Sequence, residues 1–261
     1  MANASRDASH APLPRGPRVL MYHSISPSSE PDPHSLRVHP DLLDRQLSYL
    51  RRRGLRGVSM AEWLSAARRG DASGLVALTF DDGYRDFNEW AMPVLARHGM
   101  TGTVYVVAGK LDGSSDWVEG GPDAPLMGAA DVRAVAAAGH EVGSHTMTHP
   151  RMAALPSEEL RRQVTESRRV LEDLLQQPVD GFAYPYGSFD DSAVQAVRDA
   201  GYSYACATDD HTRRVPGYTV GRIFVGRKDR PLRLHAKFIR HRIRGWTGAA
   251  SPSATRVSPQ A

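Results

Sequence analysis

Two short constellations in this 261-residue chain carry residue types suited to hydrolytic chemistry. The first is Thr79-Phe80-Asp81-Asp82-Gly83, which follows directly on the apolar run Leu75–Val76-Ala77-Leu78. Carboxylates at the C-terminal end of a buried strand stand where β/α folds place their chemistry. Adjacent residues leave a strand in different directions, so one Asp can bind a metal while its neighbour faces a water. Taken alone, the same residues are equally a solvated Asp-Gly turn. The second constellation is His145-Thr146-Met147-Thr148-His149. Histidines at i and i+4 share one side of a helical turn and can reach one ion. In isolation such a pair is more often a surface or capping feature, and the Glu of a His-Glu-x-x-His zinc site is replaced here by Thr146. Together the two motifs are stronger than either. One carboxylate and two imidazoles make a three-ligand set with a position open for water or substrate, and the second carboxylate supplies the base that the histidine motif lacks.

Two weaker features accompany them. Phe182-Ala183-Tyr184-Pro185-Tyr186-Gly187 reads either as a simple turn with a packing tyrosine or as a rigid loop offering an aromatic ring and a backbone N–H. Leu20-Met21-Tyr22-His23 ends a buried run in a histidine, which on burial statistics alone is more often a core residue. Tyr84, Trp117 and Tyr186 are aromatic candidates for a sugar surface. Trp117, in the Gly-rich loop Asp112–Gly121, serves equally as a pyranose platform or as rim packing.

These residues need a frame, and the chain between its ends alternates short apolar runs with helical patterns. The strands expected are Val19–His23, Leu75–Phe80, Thr103–Val107, His140–Gly143, Gly181–Tyr184, Tyr204–Ala207 and Thr219–Val225. The helices expected are Asp41–Arg53, Met60–Arg69, Asn88–His98, Ala130–Ala138, Glu158–Gln176 and Asp191–Ala200. In Glu158–Gln176 the residues Leu160, Val164, Ser167, Leu171 and Leu174 fall on one face, with Ser157 as the expected N-cap. Ser59 and Glu62 fit a capping box. The alternation implies an α/β fold with a parallel sheet. A distorted or incomplete (β/α) barrel in a single domain fits better than an open doubly wound sheet, because no G-x-G-x-x-G follows the first strand.

Residues 1–17 and 247–261 are polar, Pro-containing and without periodicity, and read as disordered tails flanking a domain at 18–246. A net charge of +4, from 33 basic and 29 acidic residues, is too mild for a nucleic-acid partner. The single Cys206 excludes an internal disulfide and reads as inert packing. No apolar signal core or membrane-spanning run is present, so the expected location is cytoplasmic. The stretch Pro231–Trp246 is basic, with Phe238, Ile239, Ile243 and Trp246 as an apolar stripe. It reads first as a final helix packed on the barrel with a solvated basic face, and second as a membrane-surface contact.

In this order the motifs resemble the polysaccharide deacetylase family, the NodB-homology domain of carbohydrate esterase family 4, across roughly residues 18–226. The resemblance implies a distorted (β/α) barrel and removal of N-acetyl groups from a carbohydrate. It also implies Asp81 as general base, and Asp82, His145 and His149 as ligands of a divalent metal, usually zinc. Two positions depart from the common pattern. The Arg that opens the third motif and holds the catalytic Asp is Ala183 here. The late Leu-x-His that carries the general acid has only a poor counterpart in Leu232-Arg233-Leu234-His235. The order of motifs instead looks like the permuted branch that includes poly-N-acetylglucosamine deacetylases, in which the histidine of an early Tyr-His strand fills the acid's place. The resemblance therefore assigns the acid to His23; Pro185, Tyr186 and Trp117 stand as the candidates for the substrate side. Arg222 stands as a candidate partner for Asp81, against an ordinary surface arginine. An acetyl esterase or other small-molecule amidohydrolase, and a catalytically silent carbohydrate-binding protein, are the rival readings. Oligomeric state is not legible.

Overall fold

The computed structural model describes residues 18–117, 124–208 and 215–247. In chain order the elements are β1 (Val19–Tyr22), β2 (Ser24–Ile25), β3 (Arg37–Val38), α1 (Pro40–Arg52), β4 (Arg56–Val58), α2 (Met60–Arg69), β5 (Leu75–Phe80), α3 (Met92–Arg97), β6 (Thr103–Val106), α4 (Ala129–Ala137), β7 (Glu141–Ser144), α5 (Ser157–Leu175), β8 (Gly181–Ala183), α6 (Asp191–Asp199), β9 (Tyr204–Thr208), β10 (Val220–Phe224) and α7 (Pro231–Thr247). Strands β1, β10, β9, β8, β7, β6 and β5 pair side by side in parallel, and β1 also pairs with β5. That second pairing closes the ring, so the sequence expectation of a (β/α) barrel holds. The seven ring strands are the seven apolar runs, each within one residue at either end. β4 pairs with the N-terminal half of β5, and β2 pairs with β3 outside the ring. At two to three residues, β2, β3 and β4 are too short to show a period.

Strand alternation divides the core in two. Val76, Leu78 and Phe80 of β5 point outward into a large cluster under the helices, which also holds Leu160, Val164 and Leu171 of α5. Ala77 belongs instead to the cluster inside the ring with Val19, Tyr105, Ala183, Tyr204, Cys206 and Val220, where Met60, Trp63 and Leu64 of α2 join it. Small and large residues complement each other there. A Cβ on Gly143 would come within 2.5 Å of the Tyr105 ring, and one on Gly181 would overlap the Tyr204 hydroxyl. The tyrosines fill the space these glycines leave. Cys206 lies in this interior, and burial pushes its thiol up to about 11, as an inert packing residue requires.

The local signals are corrected in three places. Ser157 is the first residue of α5, and the N-cap is Pro156, which has no side-chain donor or acceptor to offer. Ser59 does accept from the Glu62 N–H at 3.2 Å, but Glu62 turns to Arg56, so only half of the capping box forms. The helix expected from Asn88 begins as a π-helical turn over Phe87–Ala91, and α3 proper starts at Met92. Pro93 lacks the N–H that a regular helix would direct at Glu89, so the preceding turn widens. Residues 1–17 and 248–261 lie outside the described residues, and α7 runs to Thr247, one residue into the segment read as a tail.

Leu171 is fully buried on the inner face of α5. Leu171→Ala is expected to lower unfolding stability by about 2–5 kcal/mol in urea titration. Arg161→Ala on the exposed face should shift it by less than about 0.5 kcal/mol.

Candidate active site

The alternation that sorts the core also selects the residues at the ring's C-terminal end. On β5 the inward set is Ala77, Thr79 and then Asp81; on β10 it is Val220 and Arg222; on β7 it is Glu141, Gly143 and then His145; on β1 it is Val19, Met21 and then His23. Each chemically useful side chain is the next inward position past, or at the end of, its strand.

Arg222 is 1% exposed and spans Asp81 with two parallel hydrogen bonds, Nη1 to Oδ1 at 2.6 Å and Nη2 to Oδ2 at 2.7 Å. Its Nη1 also donates to Thr79 Oγ1 (3.1 Å) and its Nε to the Ala207 carbonyl (3.2 Å), while the guanidinium lies 5.5 Å from the centroid of the Tyr105 ring. Burial opposes ionisation of Asp81, but the neighbouring Arg222 and His145 outweigh it and hold the carboxyl below the usual carboxylate range. Arg222 thus makes the contact expected of the Arg that Ala183 replaces, reaching Asp81 from β10 instead of β8.

The ligand candidates converge beside it. Asp82 Oδ1 lies 3.4 Å from His145 Nε2 and 3.2 Å from His149 Nε2, all three side chains being buried. One donor atom from each lies within 4.8 Å of the others. Tetrahedral arms of about 2.0–2.1 Å set donor atoms about 3.3–3.4 Å apart, so these spacings fit a zinc-sized ion. The tautomer agrees. His145 Nδ1 meets the Ala183 carbonyl at 2.7 Å. A carbonyl only accepts, so Nδ1 carries the hydrogen and Nε2 is the nitrogen that faces Asp82 and would meet an ion. Position 183 is therefore a backbone anchor for His145.

The helical turn expected for His145–His149 does not form. The segment is a loop in which Thr146 (φ 73°) and His149 (φ 61°) are left-handed. Thr146 Oγ1 accepts from the His149 N–H at 2.9 Å, and Gln163 Oε1 of α5 accepts from the N–H groups of Met147 and Thr148 at 2.9 and 3.1 Å. Four of the eight described non-glycine residues with positive φ are Asp82, Thr146, His149 and Tyr186, so strained backbone gathers at this rim. Gln163 escaped the sequence reading, although a polar residue beside the apolar face of α5 was a signal. Asp86 escaped it too. It accepts from Ser24 Oγ (2.5 Å) and the Ile25 N–H (3.2 Å), and so fixes the chain just after His23.

His23 is half-buried, with its ring 5.9 Å from that of Phe224 and its Nδ1 without a partner among the described residues. It stands close enough to Asp81 and Asp82 to interact electrostatically with both carboxyls. Trp117 stacks on His149 with centroids 4.4 Å apart, and Tyr186 meets the same imidazole edge-on at 4.6 Å. Tyr186 is 44% exposed, directly after the buried Pro185. Its hydroxyl donates to the Trp117 carbonyl at 3.3 Å, and Arg151 lies over its ring at 4.3 Å. Tyr84 is buried and presents no open ring. His235 shares a 2.6 Å hydrogen bond with Tyr49 on α1, which ties down α7. Residues 118–121 of the Gly-rich loop lie outside the described residues.

With this geometry in place, a polysaccharide deacetylase family model matches residues 68–205, more than half of the chain. The chain belongs to the polysaccharide deacetylase family. A chitooligosaccharide deacetylase from Sinorhizobium fredii is 30% identical over 159 residues, covering 60% of this chain and 61% of the relative. The chain thus spans about three fifths of the length of the curated relatives it matches. Among solved structures, the Streptococcus pyogenes deacetylase PplD superposes with a TM-score of 0.72 at 24% identity, covering 88% of this chain and 99% of that one. IcaB from Ammonifex degensii gives 0.69 at 24%, covering 87% and 98%. Both are likenesses of fold. In this family member, as the wider pattern requires, Asp81 does have an arginine partner. No helix among the described residues is long and apolar enough to cross a membrane.

Arg222→Met strands the buried Asp81 carboxylate. It is expected to cost about 3–5 kcal/mol of stability in urea titration. Arg222→Lys should recover little, since one ammonium does not bridge both oxygens. Pairing Arg222→Met with Asp81→Asn should recover more than Arg222→Lys does.

Proposed function

We propose that this chain is a divalent-metal-dependent hydrolase that removes N-acetyl groups from a glycan containing N-acetylglucosamine, with zinc as its resident ion. The observation that carries this reading is the convergence of Asp82, His145 and His149 next to an Asp81 already gripped by Arg222. The similarity to a chitooligosaccharide deacetylase supports the substrate class. Asp82, His145 and His149 would hold the ion, whose contribution when bound is Lewis acidity toward a carbonyl oxygen and a water.

The remaining chemistry falls to the chain's own residues. Asp81 takes the proton of the attacking water; Arg222 keeps the carboxylate ionised and aimed. The backbone N–H of Tyr186, presented by the Pro185–Gly187 turn, donates to the developing oxyanion. His23 protonates the departing nitrogen, without which an amide expels its amine poorly. Trp117 and Tyr186 both pack on the His149 imidazole and border the entry for the sugar. The silent-binder alternative drew on the missing Arg at position 183, a contact that Arg222 makes.

Acetate release from N-acetylated chitooligosaccharides, with and without chelator, tests the reading. Release that stops on chelation is expected; tight glycan binding without release, or release from acetyl esters alone, contradicts it. Asp81→Asn should abolish turnover while metal content by elemental analysis stays near that of the wild type, whereas Asp82→Asn should lower metal affinity at least about tenfold. His23→Ala should slow amide substrates about 100-fold or more and activated esters far less. Equal losses on both would remove His23 from the acid role.

A further inference from the structure

The C-terminal helix has two apolar faces, and the fold uses one. Leu234 and His241 are buried and Phe238 packs against the core, where α7 meets α1 and β10. Lys237 Nζ donates to the Phe224 carbonyl at 2.7 Å and to Asp229 at 2.6 Å, which fastens this face down. On the opposite side Leu232 (83% exposed), Ala236, Ile239 (40%) and Ile243 (53%) recur at i, i+4, i+7 and i+11, a continuous stripe in solvent. The sequence grouping of Phe238 with Ile239 and Ile243 therefore splits: Phe238 faces in, the isoleucines face out. A packed surface helix ordinarily turns a polar face to water.

Charge selects what covers the stripe. Residues 226–247 hold eight of the chain's 33 basic residues and one of its 29 acidic ones, so this segment carries +7 while the rest of the chain carries −3. The one acid, Asp229, is buried and paired to Lys237 and Arg233. On a helical projection Arg233 and Arg240 flank the stripe. A second copy in a two-fold pair would bring these like charges together. Residues 248–261 contain Val257 as their one large aliphatic side chain, too little to cover three.

We propose that α7 docks on the surface of an anionic lipid bilayer, its Leu232–Ile243 stripe entering the headgroup boundary and its flanking arginines meeting lipid phosphates. Leu, Ile and Arg in this disposition are the features of an interfacial helix lying flat on a membrane. Each basic residue near such a surface contributes about 1 kcal/mol, a factor of about five in binding. The inference does not depend on the proposed activity. It concerns a surface remote in sequence from the histidine and aspartate motifs.

Co-sedimentation of the full chain with phosphatidylcholine vesicles, with and without roughly 30% phosphatidylglycerol, tests it. Partitioning onto the anionic vesicles at least about tenfold above the neutral ones is expected, falling as salt is raised. The triple variant Leu232→Ser/Ile239→Ser/Ile243→Ser should lose about tenfold or more of it, and Arg240→Gln about fivefold; circular dichroism should show both variants folded. These positions are exposed, so folding is retained. Three outcomes overturn the proposal. One is no partitioning. A second is partitioning untouched by the serine variant, which marks binding to polyanions by charge alone. The third is a wild-type dimer in sedimentation velocity that the serine variant turns to monomer, which marks an interface between copies.

Discussion

A carboxylate and a guanidinium buried together inside a closed ring of strands set the terms for this structure. Desolvating two charges is costly, and the cost is offset only if the geometry is good and every remaining donor finds an acceptor. Here the fork of Arg222 matches both oxygens of Asp81, and its other contacts go to Thr79 and the Ala207 carbonyl. Such an arrangement needs strands close on all sides. The pairing of β1 with both β5 and β10 provides them, and Tyr105 fills the space below the guanidinium because Gly143 leaves it free.

Asp82 follows from the same constraint. With Asp81 turned inward to Arg222, its neighbour must leave the strand another way, and it does so at φ 73°. The loop after β7 bends through left-handed residues to bring both imidazoles onto that displaced carboxylate. The Ala183 carbonyl, Thr146 and Gln163 hold the bend. Strain at Asp82, Thr146, His149 and Tyr186 is local, and the hydrogen bonds that over-determine it come from neighbouring strands and α5.

Much of this was legible beforehand. The seven ring strands announce themselves because strands buried on both faces are continuous apolar runs, and Asp81 and His145 sit at their ends. Other parts were hidden for physical reasons. His145 and His149 meet, but through a loop whose positive φ values no helical spacing encodes. Arg222 looks like any arginine in a strand until the ring closes and carries β10 next to β1, two places from β5. Gln163 is one polar residue on an apolar face, visible in the sequence but without a partner until the loop folds over it. The two-sidedness of α7 required knowing which side the barrel takes. Leu234 and Phe238 alternate closely with Leu232 and Ile239, so sequence grouping alone merges the faces.

The central claim is that one metal ion, held by Asp82, His145 and His149, works with Asp81 on a single substrate bond. Adding zinc stepwise to metal-stripped protein while following acetate release from an N-acetylated chitooligosaccharide tests it most directly. The account predicts no release at the start, a linear rise, and a break at about one equivalent per chain. Release before any metal is added, or a rise that continues to a second equivalent, would contradict it.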